Sequence, residues 1–258
     1  MDEPIELACT ETGDGPPVIL VHGLLGNGNN LKPLAKALAD SYRILTPDLR
    51  NHGQSPHCED MNYSALTADI IALLDKHEIE RASLMGHSLG GKTVMATALN
   101  HPDRVAGLVS LDMAPVPYAQ FLGDLLDTLL AMPIDAMNSR KDADQWLKDR
   151  GVQEDRLRAF LLQNLVRDKQ GYCWRINLSV LRNQRRSMTG FPTDAEPWPG
   201  PALFLYGAES DYIKPEYHDA IYKLFPAAEI EEVPHAGHWL HADRPQAIAD
   251  RLLTFLGE

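Results

Sequence analysis

The sequence predicts an α/β fold: a mostly parallel sheet with helices on both faces and a helical lid inserted near the middle of the chain. Three observations predict it. Short, nearly continuous apolar runs alternate from residue 17 with longer segments of helical period, the pattern of a parallel sheet buried on both sides. A Gly-x-Ser-x-Gly run at residues 86–90 falls between one apolar run and one helical segment. The alternation then lapses between Asp112 and Ala202, a gap too long for a single crossover helix, before it resumes.

Taken in order, Val18–Val21 is the first strand. A Gly/Asn-rich loop leads to a helix with Leu31, Leu34, Ala35 and Leu38 on one stripe and Pro33 in its first turn. Arg43–Pro47 is the next strand, and Leu66, Ile70, Leu73, Leu74 and His77 mark the second helix. Ala82–Met85 follows as a strand, and Val94, Met95, Ala98 and Leu99 line a helix that stops at Asn100-His101-Pro102. Val105–Leu111 is a further buried strand. Inside the gap, Leu122, Leu125, Leu126, Leu129 and Leu130 make one helical stripe, ending at Pro133, and Leu157, Phe160, Leu161 and Leu165 make another. Beyond it come a strand at Ala202–Tyr206, a helix marked by Tyr217, Ala220, Ile221 and Leu224, a last strand at Glu229–Val233, and a closing helix carrying Ile248, Ala249, Leu252 and Leu256. The expected organisation is a core domain from residues 1–115 and 197–258, with residues 116–196 as the lid.

With 44% hydrophobic and 23% charged residues, the chain has ordinary globular composition. Its net charge of −12 repels phosphate backbones and anionic lipid, so neither nucleic acid nor a membrane surface is an expected partner. The stretch Met1-Asp2-Glu3-Pro4 has no basic or apolar leader character, and a cytoplasmic monomer or homodimer is expected. Cys9, Cys58 and Cys173 are odd in number and lack a CxxC pair, which suggests neither a disulfide framework nor a metal ribbon.

Ser88 is the expected nucleophile. A serine on a tight strand-to-helix turn needs glycine two positions away on either side, here Gly86 and Gly90, and projects its hydroxyl above the strand ends. Its hydroxyl is weak until a base takes the proton, and in this fold the base comes late in the chain. His235, His238 and His241 crowd into one loop; His238, after Gly237, is the expected base, and the other two are read as solvated or capping residues. No acidic or cysteine cluster accompanies them, so no metal is expected. Oxyanion donors are expected at the Leu89 N–H and the Leu24 N–H, with Leu25 as the fallback, while His22 is read as structural. Asp48, Arg50 and His52 are read as shaping a turn.

Across nearly its whole length the chain resembles the YbfF-type esterase branch of the α/β-hydrolase superfamily. The resemblance is carried by His22-Gly23-Leu24-Leu25-Gly26, Asp48-Leu49-Arg50-Asn51-His52-Gly53-Gln54-Ser55, Gly86-His87-Ser88-Leu89-Gly90-Gly91-Lys92, Asp112-Met113-Ala114-Pro115 and Gly237-His238-Trp239-Leu240-His241. It implies the α/β-hydrolase fold and hydrolysis of esters or thioesters without a cofactor. Two carboxylates compete to orient His238. Asp211 follows the penultimate strand, the commonest place for the acid in the superfamily, but three residues past Gly207 lies Ser210. Asp112 ends the strand before the lid, and the YbfF-type branch resembles this arrangement, with a serine where Ser210 stands. Asp112 is favoured, Asp211 stays open, and Ser210 is a second hydrogen-bond partner for the imidazole.

The function expected is that of a serine carboxylesterase for small to medium acyl esters, acyl-CoA thioesters included, working through a Ser-His-Asp triad and an acyl-enzyme. Leu24, Leu25, Phe121, Leu122, Trp146, Phe160, Trp174, Tyr212 and Trp239 are the candidate substrate walls, Leu25 and Trp239 foremost. Residues 116–190 hold 12 Lys/Arg against 9 Asp/Glu; Arg182, Arg185 and Arg186 either meet an anionic acyl donor or, the favoured reading, pair with the acidic core. The rival readings are a carbon-carbon bond hydrolase or perhydrolase of the same fold, and a non-catalytic binding module.

Overall fold

The computed structural model describes residues 3–118, 123–169, 171–192 and 194–257. Its elements, in chain order, are β1 (Cys9–Thr12), β2 (Pro17–Val21), α1 (Lys32–Leu38), β3 (Arg43–Pro47), α2 (Tyr63–Lys76), β4 (Ala82–His87), α3 (Leu89–Asn100) and β5 (Val105–Leu111). Then come α4 (Gly123–Leu130), α5 (Arg140–Lys148), α6 (Asp155–Leu162), β6 (Leu165–Arg167), β7 (Tyr172–Trp174), α7 (Leu178–Asn183) and α8 (Arg185–Thr189). The chain closes with β8 (Ala202–Gly207), α9 (His218–Leu224), β9 (Ala228–Val233), α10 (Leu240–Asp243) and α11 (Pro245–Gly257).

Seven strands form one sheet in the order β1-β3-β2-β4-β5-β8-β9, parallel except for β1. Alternation along each strand sends side chains to two separate cores. Val18, Leu20, Met85, Val109 and Leu203 pack against Leu34 and Leu38 of α1 and Ile248 and Leu252 of α11. Ile19, Val21, Leu84, Leu108 and Phe204 pack on the other face with Leu66 and Ile70 of α2 and Val94 of α3. These buried runs are the ones the sequence marks as strands.

β1 was not expected. It is a four-residue, largely exposed strand, antiparallel to β3 from Cys9↔Pro47 to Thr12↔Ile44, and it caps the sheet edge. The second expected stripe of the insert also breaks. Leu165 does not continue the helix of Leu157 and Leu161; α6 ends at Leu162, and Leu165 opens β6, which pairs with β7 through Leu165↔Trp174. The break is fixed by Asn164, whose side chain bonds the Leu25 carbonyl at 2.8 Å and whose own carbonyl receives the Arg175 N–H. In α4, Leu126 and Leu129 are buried, but Leu130 is 41% exposed and off the stripe. Phe121 and Leu122 lie outside the described residues. No helix among the described residues is long and apolar enough to cross a membrane.

Although the stretch from α4 to α8 separates them, β5 and β8 are neighbours, paired through Leu111↔Leu205. The carboxyl ends of β4, β5 and β8 therefore lie side by side, and the site forms above them.

Candidate active site

Ser88 stands between β4 and α3 with φ 53° and ψ −117°, and its N–H bonds the Leu111 carbonyl. This is a strained conformation for a residue with a Cβ. The two flanking glycines are needed for close backbone approach: a Cβ on Gly86 would lie 2.1 Å from the Gly90 carbonyl oxygen, and one on Gly90 would lie 2.2 Å from the Val21 carbonyl oxygen. Two further positive-φ residues frame the same site, Asp112 at 55° and Leu25 at 64°.

The structure brings His238 and Asp112 together. The imidazole Nδ1–H donates to Asp112 Oδ2 at 2.7 Å, which leaves Nε2 as the ring nitrogen with a lone pair. Asp112 is fully buried; Ser210 Oγ donates to the same Oδ2, and the Gly207 N–H reaches Oδ1 at 3.3 Å. Ser210 thus holds the carboxylate, not the imidazole as expected from the sequence. Asp211 is not brought to the site: its side chain is 95% exposed and pairs with Lys214. Tyr212 lies flat against the His238 ring.

Of the two histidines read as solvated or capping, His241 departs from that reading and His235 does not. His241 is buried, its ring 4.5 Å from that of His87, because α10 turns it back under the loop; His235 is exposed. His87, which sequence reasoning passed over, donates Nε2–H to the His238 carbonyl at 2.8 Å, and its ring centroid is 4.7 Å from that of His238. Burial holds His87 well below the usual histidine range, and burial with the neighbouring His238 brings His241 down to about 4. Both are neutral at pH 7, so they add no charge beside His238.

The loop after β2 is locked from both sides. His22 donates Nδ1–H to the Gly23 carbonyl and accepts the Leu49 N–H on Nε2 at 2.9 Å; His52 donates Nδ1–H to the Arg50 carbonyl and accepts the Leu25 N–H on Nε2 at 3.2 Å. Burial pushes His22 down to about 4 and His52 down to about 3, so each keeps the neutral form these bonds require. From the other side, Asn164 and Gln163 bond the Leu25 carbonyl. The fallback oxyanion donor is therefore consumed: the Leu25 N–H belongs to His52. The Leu24 N–H and the N–H of Leu89, first residue of α3, have no protein acceptor among the described residues. Behind this turn, Asp48 accepts the Gly28 and Gln54 N–H groups, and Arg50 forms a buried pair with Asp69 through its Nε at 2.7 Å.

Ser88 opens onto two cavities. The larger, about 320 Å³, is lined by Ser88, His238, Leu24, Leu25, Leu125, Leu157, Phe160, Tyr212 and Trp239. Ser88 and His238 share its wall and are not hydrogen-bonded to each other. The smaller, about 50 Å³, is lined by Ser88, Leu24, Leu89, Lys92, Met113, Tyr118, Arg185, Met188, Thr189 and Tyr212. Of the expected walls, Trp146 and Trp174 line neither; Trp146 is covered by Arg150. Lys92 is a second residue that its motif did not flag. Its buried Nζ donates to the Thr189 and Gly190 carbonyls at 2.9 and 2.8 Å and lies 4.7 Å from the Tyr118 ring centroid. Burial pulls it down to about 7, against the carbonyls and ring face, which favour the ammonium.

The basic excess of residues 116–190 is partly spent internally: Arg182 pairs with Asp127, and Arg158 with Asp144 and Asp155. Arg156 reaches across to Asp243.

Residues 16–245 match the model of the family described as alpha/beta hydrolase fold. The chain is 41% identical over 93% of its length to the sn-1-specific diacylglycerol lipase ABHD11 of Mus musculus, of which 81% is covered. It is 35% identical over 94% of its length to the esterase YbfF of Escherichia coli K12, of which 93% is covered. Among solved structures, a marine microorganism esterase superposes with a TM-score of 0.94 at 34% identity, over 97% of this chain and 99% of that one.

Proposed function

The chain belongs to the α/β-hydrolase fold family, and on the geometry of its site we propose that it is a carboxylic ester hydrolase with Ser88 as nucleophile, His238 as base and Asp112 as orienting acid. The observation that carries this reading is the buried Asp112 carboxylate holding His238 Nδ1 at 2.7 Å while the ring shares a cavity wall with the strained Ser88. Nδ1–H donation keeps Nε2 free to take a proton, and the fixed carboxylate stabilises the imidazolium that results.

In the proposed cycle, Ser88 Oγ attacks the ester carbonyl as its proton passes to His238 Nε2. The hydrogen bond between them forms as substrate closes the site. The oxyanion takes the N–H groups of Leu24 and Leu89. His238 then protonates the departing alcohol, leaving an acyl group on Ser88, and water delivered by the same base releases the acid. A thioester is cleaved by the same steps, with a thiol departing. Residues 116–196 act as the lid: Leu125, Leu157 and Phe160 roof the larger cavity, with Trp239 of the core beside them.

A fluorophosphonate probe tests the reading. It should label the native protein at Ser88 and fail to label Ser88→Ala, and p-nitrophenyl acetate hydrolysis should disappear in the same variant. A native protein that stays unlabelled and hydrolyses no ester would mark a binding module instead.

A further inference from the structure

We infer that the two cavities beside Ser88 divide the substrate between them: the smaller takes a short acyl group, and the larger takes a bulky apolar alcohol. This rests on the proposed roles of Ser88 and His238.

The direction follows from where the proton must go. When the tetrahedral intermediate collapses, the carbon–oxygen bond to the alcohol breaks, that oxygen receives the proton held on His238 Nε2, and the acyl carbon stays on Ser88 Oγ. The alcohol therefore lies against His238. Of the two cavities that Ser88 lines, the larger has His238 in its wall and the smaller does not. The smaller one meets Ser88 from the side of Leu89 and Met113, without His238, which leaves it for the acyl substituent. Leu24 and Tyr212 border both and form the partition.

Size sets the class. The smaller space, about 50 Å³, is less than a sixth of the larger, about 320 Å³, so it takes the shorter substituent and leaves the chain to the other side. The wall does not yield easily, because Lys92 ties the Thr189 and Gly190 carbonyls to α3 and so holds Met188 in place. The larger cavity, about 320 Å³ and roofed by Leu157 and Phe160, falls in the range that accepts a whole apolar ligand.

Octyl acetate and methyl nonanoate are isomers that differ in which side of the ester carries the chain. The native enzyme should favour octyl acetate by about tenfold or more in kcat/KM. Met188→Ala should raise octyl butanoate relative to octyl acetate by about tenfold, whereas Phe160→Ala should leave that ratio where it is. Equal rates for the isomers, or a preference for methyl nonanoate, overturn the division. Loss of p-nitrophenyl acetate hydrolysis in Ser88→Ala would show in that case that the esterase reading still stands. If the native protein hydrolyses no ester at all, both fall.

Discussion

Tyr212 lies flat on His238, the ring centroids 3.9 Å apart and the planes 14° from parallel. The stack fixes the plane in which Nε2 points, and the Tyr118 hydroxyl holds Tyr212 by its carbonyl at 2.5 Å. Tyr212→Ala should lower kcat on p-nitrophenyl acetate by about 10-fold or more, since a small misplacement of a catalytic group is costly. Tyr212→Phe, which keeps the ring, should lose far less. Steady-state kinetics on both variants check this; equal losses would mean that the ring plane is irrelevant.

Asp112→Asn replaces one carboxylate oxygen by an NH2 donor and removes the charge, so the His238 tautomer that donates from Nδ1 is no longer selected. Turnover of an aryl ester should fall by about 10⁴. Asp211→Asn, a change at an exposed residue paired with Lys214, should fall within about twofold of the native enzyme. The opposite ranking would reassign the acid.

Removing the His52 ring strands the Leu25 N–H in a buried turn. His52→Ala should cost about 1–3 kcal/mol of stability for the unsatisfied donor, and more for the lost packing. Its kcat should drop as well, because Leu24 precedes the turn that His52 holds. Urea unfolding alongside ester kinetics reads both effects; unchanged kcat would uncouple the turn from the oxyanion.

Acid should unfold the protein early. His22, His52 and His241 have folded pKa values of about 4, 3 and 4, and His87 is also depressed, whereas an unfolded histidine titrates near ~6.5. Below ~6.5 the unfolded chain takes up protons that the folded one refuses, so stability is complete above that pH, declines as pH falls, and stops declining through these groups near their folded values. The thermal midpoint should drop steeply between about pH 6.5 and 4. His52→Gln should flatten that slope, and a native profile flat across this window would contradict the assignment.

Gly90→Ala should not fold, because its Cβ would press into the Val21 carbonyl oxygen at 2.2 Å, a backbone atom that cannot rotate away. Expression and circular dichroism are sufficient readouts. Gly151→Ala, with no atom near the new Cβ, should fold despite its φ of +90° and lose modest stability.

The buried strands were legible because each is an apolar run with no competing period, and the turn at Ser88 because sterics dictate glycine on both sides. Residues whose roles depend on long-range packing were not. β1 is short and mostly exposed, so no apolar pattern marks it. Leu165 keeps the spacing of a helical stripe yet starts a strand, since the hydrogen bond from Asn164 to Leu25, 139 positions away in the chain, ends the helix. Ser210 was found by counting from Gly207, but its partner was misread: the hydroxyl bonds the carboxylate, which no spacing distinguishes from the ring. His241 sits one turn beyond a loop of histidines and gives no sign of burial until α10 folds it under His87. Lys92 was visible only as a charge in an apolar helix, a signal that calls for a buried acceptor, and its acceptors are backbone carbonyls near the end of the insert.

The pairing of β5 with β8 has a consequence for descent and engineering. Asp112 and Leu205 are joined by a backbone hydrogen bond of 2.7 Å, so everything between them leaves the sheet and returns to it at adjacent strands. Such a passage can change in length while the strand register, and with it the positions of Ser88 and Asp112 at the strand ends, stays put. Variation in that one contiguous stretch of gene must still keep the few contacts by which it braces the site, from Asn164 to the Leu25 carbonyl and from Tyr118 to the Tyr212 carbonyl.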